Sequence, residues 1–171
     1  SEGGIAVVDP DDVEHATVLL RRPYLVQLGS WSTSGTLAFF QFPGDTQRDV
    51  WVLERGAAEP RPFLATRFNE RGATFSPDGR WLTYVADSTG RDEVYVRAYP
   101  GPGAPFPVST AGGVEPMWSR NGREIFYREG DRMMAVSFSA SPAVLLGHNQ
   151  MVFEQPFAKS GLGVADYDVA A

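Results

Sequence analysis

Few side chains in this sequence have the types and spacing that catalysis requires. The two histidines are His15, which closes an acidic stretch, and His148, which lies in a turn-like Gly-His-Asn-Gln segment. A serine hydrolase needs a serine on a strained elbow with a histidine base and an acidic partner, and the Gly-x-Ser-x-Gly motif is missing. A metal site shared by two histidines this far apart in the sequence is not expected. We therefore predict no catalytic residue, no metal site, no cofactor and no enzymatic activity.

Three further groups of residues suggest ligand chemistry only weakly. The carboxylates within residues 9–14 offer oxygen atoms to a hard cation, but the EF-hand spacing and its glycine are absent, so a solvated acidic loop is the better interpretation. The same holds for the acidic residues within 87–93. Residues 161–166 imitate part of a dinucleotide-binding fingerprint, but Asp166 stands where the third glycine belongs.

Composition limits the classes of partner. The chain has 171 residues, 43% of them hydrophobic and 21% charged, and its net charge is −6. An acidic chain lacks the basic surface that a nucleic-acid binder needs. No cysteine is present, which excludes disulfides and thiolate sites but leaves the compartment open. No apolar run approaches the about 18 residues of a membrane span, and the first residues show no signal-peptide pattern.

A repeat in the sequence predicts the architecture. The pattern aromatic-Ser-x-x-Gly occurs three times, and its glycines, Gly35, Gly79 and Gly122, lie 44 and then 43 residues apart. Propeller blades repeat at this spacing. Asp-Gly and Asn-Gly at the second and third turns favour hairpins, because glycine adopts positive φ without steric cost. We expect the aromatic residue before each turn to pack between neighbouring blades.

Each repeat unit contains the pattern of four short strands. One ends in the aromatic-Ser pair, one follows the glycine, one surrounds a second aromatic residue, and the last is rich in proline in two copies, as suits an edge strand. Residues 151–154 are the less certain edge strand of the third copy, and residues 139–147 are a loop or a short strand. Residues 5–9 and 16–20 match the third and fourth strands of a preceding blade, and residues 167–171 match the first strand of a following one.

The predicted fold is therefore an all-β propeller arc of four-stranded antiparallel blades, with three whole blades and parts of two others. The boundaries of the units are approximately 1–25 (partial), 26–67, 68–110, 111–158 and 159–171 (partial), within one domain. An arc has open sheet edges, which a propeller removes by closing its ring. We expect either that the segment belongs to a longer chain or that two copies form a homodimer that completes the ring.

The turn Ser76-Pro77-Asp78-Gly79, repeated at this period, resembles the TolB-type propeller repeats, distant relatives of the WD-type repeat. The resemblance covers nearly the whole chain from Ile5. From Phe106 onward the sequence is most similar to propeller domains attached to bacterial serine/threonine kinases, including a Tyr-Asp-Val segment at residues 167–169. The first turn lacks the Pro-Asp pair, and the third has Arg-Asn in its place.

The resemblance implies a non-enzymatic scaffold that binds a protein or peptide partner or senses a ligand, in a periplasmic or other extracytoplasmic compartment. Because some related propellers cover the active sites of serine peptidases, the alternative is an accessory propeller of a hydrolase whose catalytic domain lies outside this chain. Loops between the second and third strands, and between successive blades, emerge on one face, where function is usually located. On that face we predict a mixed-charge binding rim formed by Arg48, Arg71, Arg91 and Glu115.

Overall fold

The structure is a computed structural model that describes residues 3–9, 11–43, 47–157 and 165–169. The strands of this part pair only with antiparallel neighbours, and no helix occurs among the described residues. They form one two-stranded hairpin followed by three larger sheets. The predicted all-β class with blade-like antiparallel sheets is therefore confirmed.

The hairpin comes first, and each larger sheet then follows chain order from its first strand outward. The hairpin contains β1 (Gly3–Asp9) and β2 (Asp12–Arg22). The next sheet contains β3 (Val26–Trp31), β4 (Leu37–Gln41), β5 (Asp49–Leu53) and β6 (Arg61–Leu64).

The two remaining sheets repeat this plan, with one addition. The first of them contains β7 (Glu70–Phe75), β8 (Trp81–Ala86), β9 (Glu93–Ala98) and β10 (Phe106–Pro107). The last contains β11 (Val114–Trp118), β12 (Glu124–Glu129), β13 (Arg132–Ser139), β14 (Leu145–Leu146) and β15 (Gln150–Glu154). Both β14 and β15 pair with β13, so this sheet has five strands where four were predicted.

The predicted turns have the expected geometry. Gly79 and Gly122 both have φ of 69°, in the left-handed region that favours glycine. In the second turn the Ser76 hydroxyl donates to Asp78 Oδ1 at 2.6 Å and accepts the Trp81 amide at 3.0 Å. The third turn repeats this arrangement with Ser119 and Asn121. The serine and the acidic or amide residue therefore satisfy the polar groups of the hairpin locally.

The core lies between successive sheets. One cluster joins the second and third of the larger sheets around Val85, Val96, Trp118, Ile125 and Tyr127. Another joins the first and second around Val50, Val52, Phe75 and Leu82, and a third joins the hairpin to the first through Ile5, Leu20 and Phe39. Each blade is thus held by apolar side chains of its neighbour, as in a propeller arc.

Two predictions about the ends of the arc need correction. Trp31 is 50% exposed, whereas Phe75 and Trp118 are buried as predicted. The hairpin before Trp31 supplies only two strands; they cover Leu37, Phe39 and Val26 at the start of β3, but leave Trp31 at its other end exposed. Of the strand predicted over residues 167–171, residues 167–169 are not in a strand, and residues 170 and 171 lie outside the described residues.

Candidate functional site

The connections β4–β5, β6–β7, β8–β9 and β10–β11 meet at one end of the sheets, which we call the loop face. The Glu70 amide donates to the Arg48 carbonyl at 2.7 Å, and the Gly113 amide donates to the Asp92 carbonyl at 2.9 Å. In a third hydrogen bond the side-chain nitrogen of Gln47, Nε2, donates to the backbone carbonyl of Arg67, also at 2.7 Å. These bonds tie the connections within a sheet to the connections between sheets, as the propeller pattern predicts.

Arg71 and Asp92 form a two-point charged pair on the loop face. Arg71 projects from β7, and both of its terminal nitrogens donate to the Asp92 carboxylate, one of them at 2.9 Å. The side chain of Arg71 is nearly buried, whereas Asp92 remains partly exposed. A two-point bond of this kind fixes the plane of the guanidinium and largely neutralises its charge.

Arg48 lies just before β5 and is half-buried. Its guanidinium carbon is 5.0 Å from the centroid of the Phe42 ring. Burial lowers the pKa of Arg48, the neighbouring Arg71 lowers it further, and Asp92 opposes both effects. Arginine nevertheless stays protonated in proteins, so this is a partly desolvated cation resting on an aromatic ring.

Arg91, in the β8–β9 connection, stabilises the path of the chain between two blades. It donates to Glu93 Oε1 at 2.7 Å and to the carbonyl of Thr110 at 2.5 Å. The buried Glu93 in turn accepts the Ser109 hydroxyl and the Gly112 amide. Arg91 itself remains largely exposed, so its outer donors face solvent while its inner ones order the β10–β11 connection.

The fourth predicted rim residue, Glu115, does not lie on an exposed loop. It is the second residue of β11, is 2% exposed and has φ of 57°. Its Oε2 accepts Arg128 Nη1 at 3.1 Å, and its carbonyl accepts the Tyr167 hydroxyl at 2.6 Å. Burial raises the pKa of the Glu115 carboxyl, although Arg128 opposes that rise. The structure therefore separates Glu115 from the three arginines of the loop face.

A shared irregularity explains this placement. The register of each first strand shifts once, between Leu28 and Ser30, between Arg71 and Thr74, and between Val114 and Met117. A bulge moves the residues on one side of it to the opposite face of the strand. Glu115 follows Val114 as Gly72 follows Arg71, and both have positive φ. In the sequence, this placement of Glu115 is indicated by its alignment with Gly72 of the preceding repeat.

Glu70 is not one of the four residues predicted to form the binding rim. This residue begins β7 and is 2% exposed. The Thr66 hydroxyl donates to its Oε1, whereas its Oε2 is buried without a hydrogen-bond partner among the described residues. Burial raises the pKa of this carboxyl, and Asp49 and Asp87 raise it too, against the lowering effect of the Thr66 bonds. Glu70 is therefore a buried carboxyl group with incomplete hydrogen bonding, directly beneath the loop face.

Between the first strands lies a cavity of about 240 Å³. The bulged residues of all three larger sheets contribute to its wall, together with part of the segment 165–169. Its lining residues are Gly29, Ser30, Gly72, Thr74, Glu115, Pro116, Met117, Ala165 and Tyr167. At Gly29 an added Cβ would clash with the Ala73 carbonyl oxygen, so a glycine is required there for the close approach of the neighbouring first strand.

The groups considered for catalysis and metal binding do not come together in the described part of the chain. His15 is bonded to Asp12 at 2.8 Å, and both side chains are exposed at the β1–β2 hairpin. His148 is exposed before β15. Among the described residues no group of three or more metal-ligating side chains converges. Residues 161–164 of the partial fingerprint lie outside the described residues.

The order of the strands, the sheet-to-sheet cores and the loop face define a partial β-propeller. Its fold is that of the TolB-like propellers. TolB from Acinetobacter baumannii superposes with a TM-score of 0.68 at 12% identity, over 92% of this chain and 39% of that chain. An auxiliary nutrient binding protein from Bacteroides thetaiotaomicron VPI-5482 gives 0.63 at 14% identity, over 92% and 43%.

A third similar structure is dipeptidyl peptidase 4 from Porphyromonas gingivalis, with a TM-score of 0.58 and 13% identity over 87% of this chain and 22% of that one. The chain spans less than half the length of each of these three structures. No family model matches the sequence, and no curated protein matches it. At these identities the likeness establishes the fold.

Proposed function

We propose that this propeller is a non-enzymatic scaffold that binds a protein or peptide partner through its loop face. The observation that supports the proposal is that Arg48, Arg71 and Arg91 lie in or beside the connections of the loop face, which backbone hydrogen bonds hold in place. Binding residues on loops that a rigid framework positions are the usual arrangement in such folds. Likeness to a nutrient binding protein and to TolB supports a binding role.

An extracytoplasmic location belongs to the same proposal. It is supported by the resemblance of the repeats to a periplasmic family, and the absence of cysteine is compatible with it. The described residues include no helix with the length and apolar character needed to cross a membrane.

Association of two copies is the second part of the proposal. Apolar side chains are exposed at both ends of the arc: Leu25, Leu28 and Trp31 at the first larger sheet, and Met151, Val152 and Phe153 at the last. Side chains equivalent to Trp31 are buried wherever a neighbouring blade is present. A second copy that places one end of its arc against the other end of the first would cover both surfaces.

An accessory propeller of a serine peptidase is the alternative function. The similarity to dipeptidyl peptidase 4 favours it, since a small part of that enzyme is matched by most of this chain. On this hypothesis the loop face or the axial cavity would guide a substrate to a catalytic domain on another part of the polypeptide. A hydrolase domain in the full-length gene product would support this alternative and a kinase domain would favour sensing.

The loop-face proposal can be tested by site-specific photo-crosslinking in the cells from which the protein comes. A photoreactive amino acid replaces Thr89, exposed in the β8–β9 connection, and in a second variant replaces Arg120, exposed in the turn at the other end of the sheets. We expect a discrete protein adduct from the Thr89 position that excess unlabelled protein abolishes. The same adduct from both positions, or from neither, would contradict a binding role for the loop face.

A further inference from the structure

Arg48 has unused hydrogen-bonding capacity at the loop face. A guanidinium has five N–H donors in a planar fork. Among the described residues no acceptor is bonded to the side chain of Arg48; its contacts are the Phe42 ring beneath it and the charges of Arg71 and Asp92 around it. The side chain is nevertheless half-buried. A cation that is partly removed from water and has no counterion gains strongly from an added anion.

The neighbouring arginine is in a different state. Both terminal nitrogens of Arg71 donate to the Asp92 carboxylate, so the positive charge of Arg71 is paired with a negative charge within the chain. Arg91 is likewise matched by Glu93. Arg67, in the β6–β7 connection, also has no bonded acceptor among the described residues, but it is exposed. Arg48 is therefore the half-buried arginine of the loop face whose charge the described residues leave without a bonded partner, and it lies where the connections of two blades meet.

The surroundings select the kind of anion. Asp49 follows Arg48 directly, Asp92 lies within electrostatic range of it, and the chain as a whole carries a charge of −6. A polyanion of high charge density, such as a nucleic acid, would meet these carboxylates and be repelled. A single carboxylate is planar, carries one charge and fits the guanidinium fork through two parallel bonds.

We propose that Arg48 is the anchor for a carboxylate of an acidic peptide segment, with the Phe42 ring holding the guanidinium in the plane that such a bond requires. This deepens the proposed function, on which it rests, by naming the chemistry of the partner. The carboxylate comes either from an Asp or Glu side chain or from a peptide C-terminus, and the test separates these two sources.

The probes are three fluorescein-labelled hexapeptides measured by fluorescence anisotropy. One alternates alanine and glutamate with a capped C-terminus, the second has glutamine in place of glutamate, and the third is all alanine with a free C-terminal carboxylate. We expect the glutamate peptide, the free-carboxylate peptide or both to bind, and the glutamine peptide to bind at least about tenfold more weakly. Raising the salt from about 0.05 M to about 0.5 M should weaken the charged interaction further.

The decisive variant is Arg48→Gln, which keeps a polar side chain of similar length but removes the charge and the fork. We expect it to weaken the favoured peptide about tenfold or more, and Arg48→Lys to recover only part of the loss, because lysine offers no planar pair of donors. The matched control is Arg80→Gln, which removes an exposed arginine at the opposite end of the sheets and should leave binding unchanged within about twofold. Thermal melts would verify that each variant is folded.

Three outcomes would overturn the proposal: a glutamine peptide that binds as tightly as the tighter of the two carboxylate peptides, equal losses in Arg48→Gln and Arg80→Gln, or an oligothymidylate that displaces the peptide more effectively than excess unlabelled peptide does. If none of the peptides binds but the Thr89 crosslink described above is still observed, the carboxylate assignment is wrong and the loop-face function is still supported. If both fail, the proposed function falls with it.

Discussion

The indole N–H of Trp118 donates to the carbonyl of Thr74 at 3.2 Å, across the junction between two blades. In return the Thr74 hydroxyl donates to the carbonyl of Pro116, also at 3.2 Å. The same junction buries the Trp118 ring, which meets Phe138 edge-on at 4.9 Å between ring centroids. Polar and apolar contacts of one aromatic residue thus fasten the first strands of adjacent sheets to each other.

Replacing the aromatic residue before the turn should lower the free energy of unfolding strongly only where a neighbouring blade covers its ring. We expect Trp118→Ala to lower the free energy of unfolding by about 3–5 kcal/mol, because it leaves a cavity and removes one of the two side-chain hydrogen bonds that the Thr74 carbonyl accepts. Trp31→Ala, at the equivalent but exposed position, should cost about 1 kcal/mol or less in the monomer. Urea denaturation of both variants measures the difference, and similar losses at the two sites would show that Trp118 is not held between blades.

The turn glycines offer a second test, because replacing them should destabilise the fold through an unfavourable backbone φ rather than through close contacts. An added Cβ at Gly79 would meet only ordinary contacts, at 3.5 Å or more, but the backbone φ of 69° is unfavourable for valine. We expect Gly79→Val and Gly122→Val each to lower stability by about 1–2 kcal/mol. Gly103→Val is the matched control, since Gly103 has open space around it and no positive φ. Unchanged thermal midpoints for the two turn variants would disprove the turn geometry.

These turns also show how much the sequence could predict. A fixed period, a hairpin dipeptide and an aromatic residue in register are local signals, so the three larger sheets and the order of their strands followed from them. The environment of Glu115 depends instead on a bulge, and one residue of register exchanges the two faces of a strand. Trp31 was misassigned for a different reason: its burial depends on strands that the hairpin before it does not supply.

The contribution of the buried Glu115–Arg128 pair to stability can be tested by comparison with the sheet that begins with β7, where the equivalent positions are Gly72 and Val85. Arg128→Val alone leaves a buried carboxylate without its cation, and we expect it to lower the free energy of unfolding by about 3 kcal/mol or more. Adding Glu115→Gly removes that charge and also suits the φ of 57°. The double variant should therefore be more stable than Arg128→Val in chemical denaturation. A double variant less stable than the single one would mean that the two side chains do not act as a pair.

Glu70 should make the stability of the fold depend on pH in a defined direction. Its folded-state pKa lies above the ordinary value of 4.5, so the native state binds the proton more tightly than the unfolded chain does. The stabilising effect of that proton is complete below about pH 4.5 and is lost as the pH rises through the folded-state pKa. Glu70→Gln has no such proton, so the advantage of this variant over the native protein should grow as the pH rises from 4.5 toward neutrality.

Thermal midpoints of the two proteins across this pH range measure the effect. Asp92→Asn serves as a control of the same charge change at a partly exposed carboxylate of the loop face, which should not reproduce the profile of Glu70→Gln. Parallel pH profiles for Glu70→Gln and the native protein would show that Glu70 is solvated in the folded state.

The open ends of the arc lead to a prediction about the mass in solution. If two copies cover each other's ends, light scattering should give twice the 18.7 kDa of one chain, and the dimer should persist on dilution. Trp31→Glu places a charge in one end surface and Val152→Glu places one in the other, so each should shift the mass to 18.7 kDa. In an equimolar mixture of the two variants, a dimer made of one copy of each has one end-to-end interface that carries neither substitution. The mixture should therefore regain part of the dimer. A native protein that stays at 18.7 kDa at every concentration would rule out self-association, and a native dimer that both variants leave intact would place its interface elsewhere on the molecule.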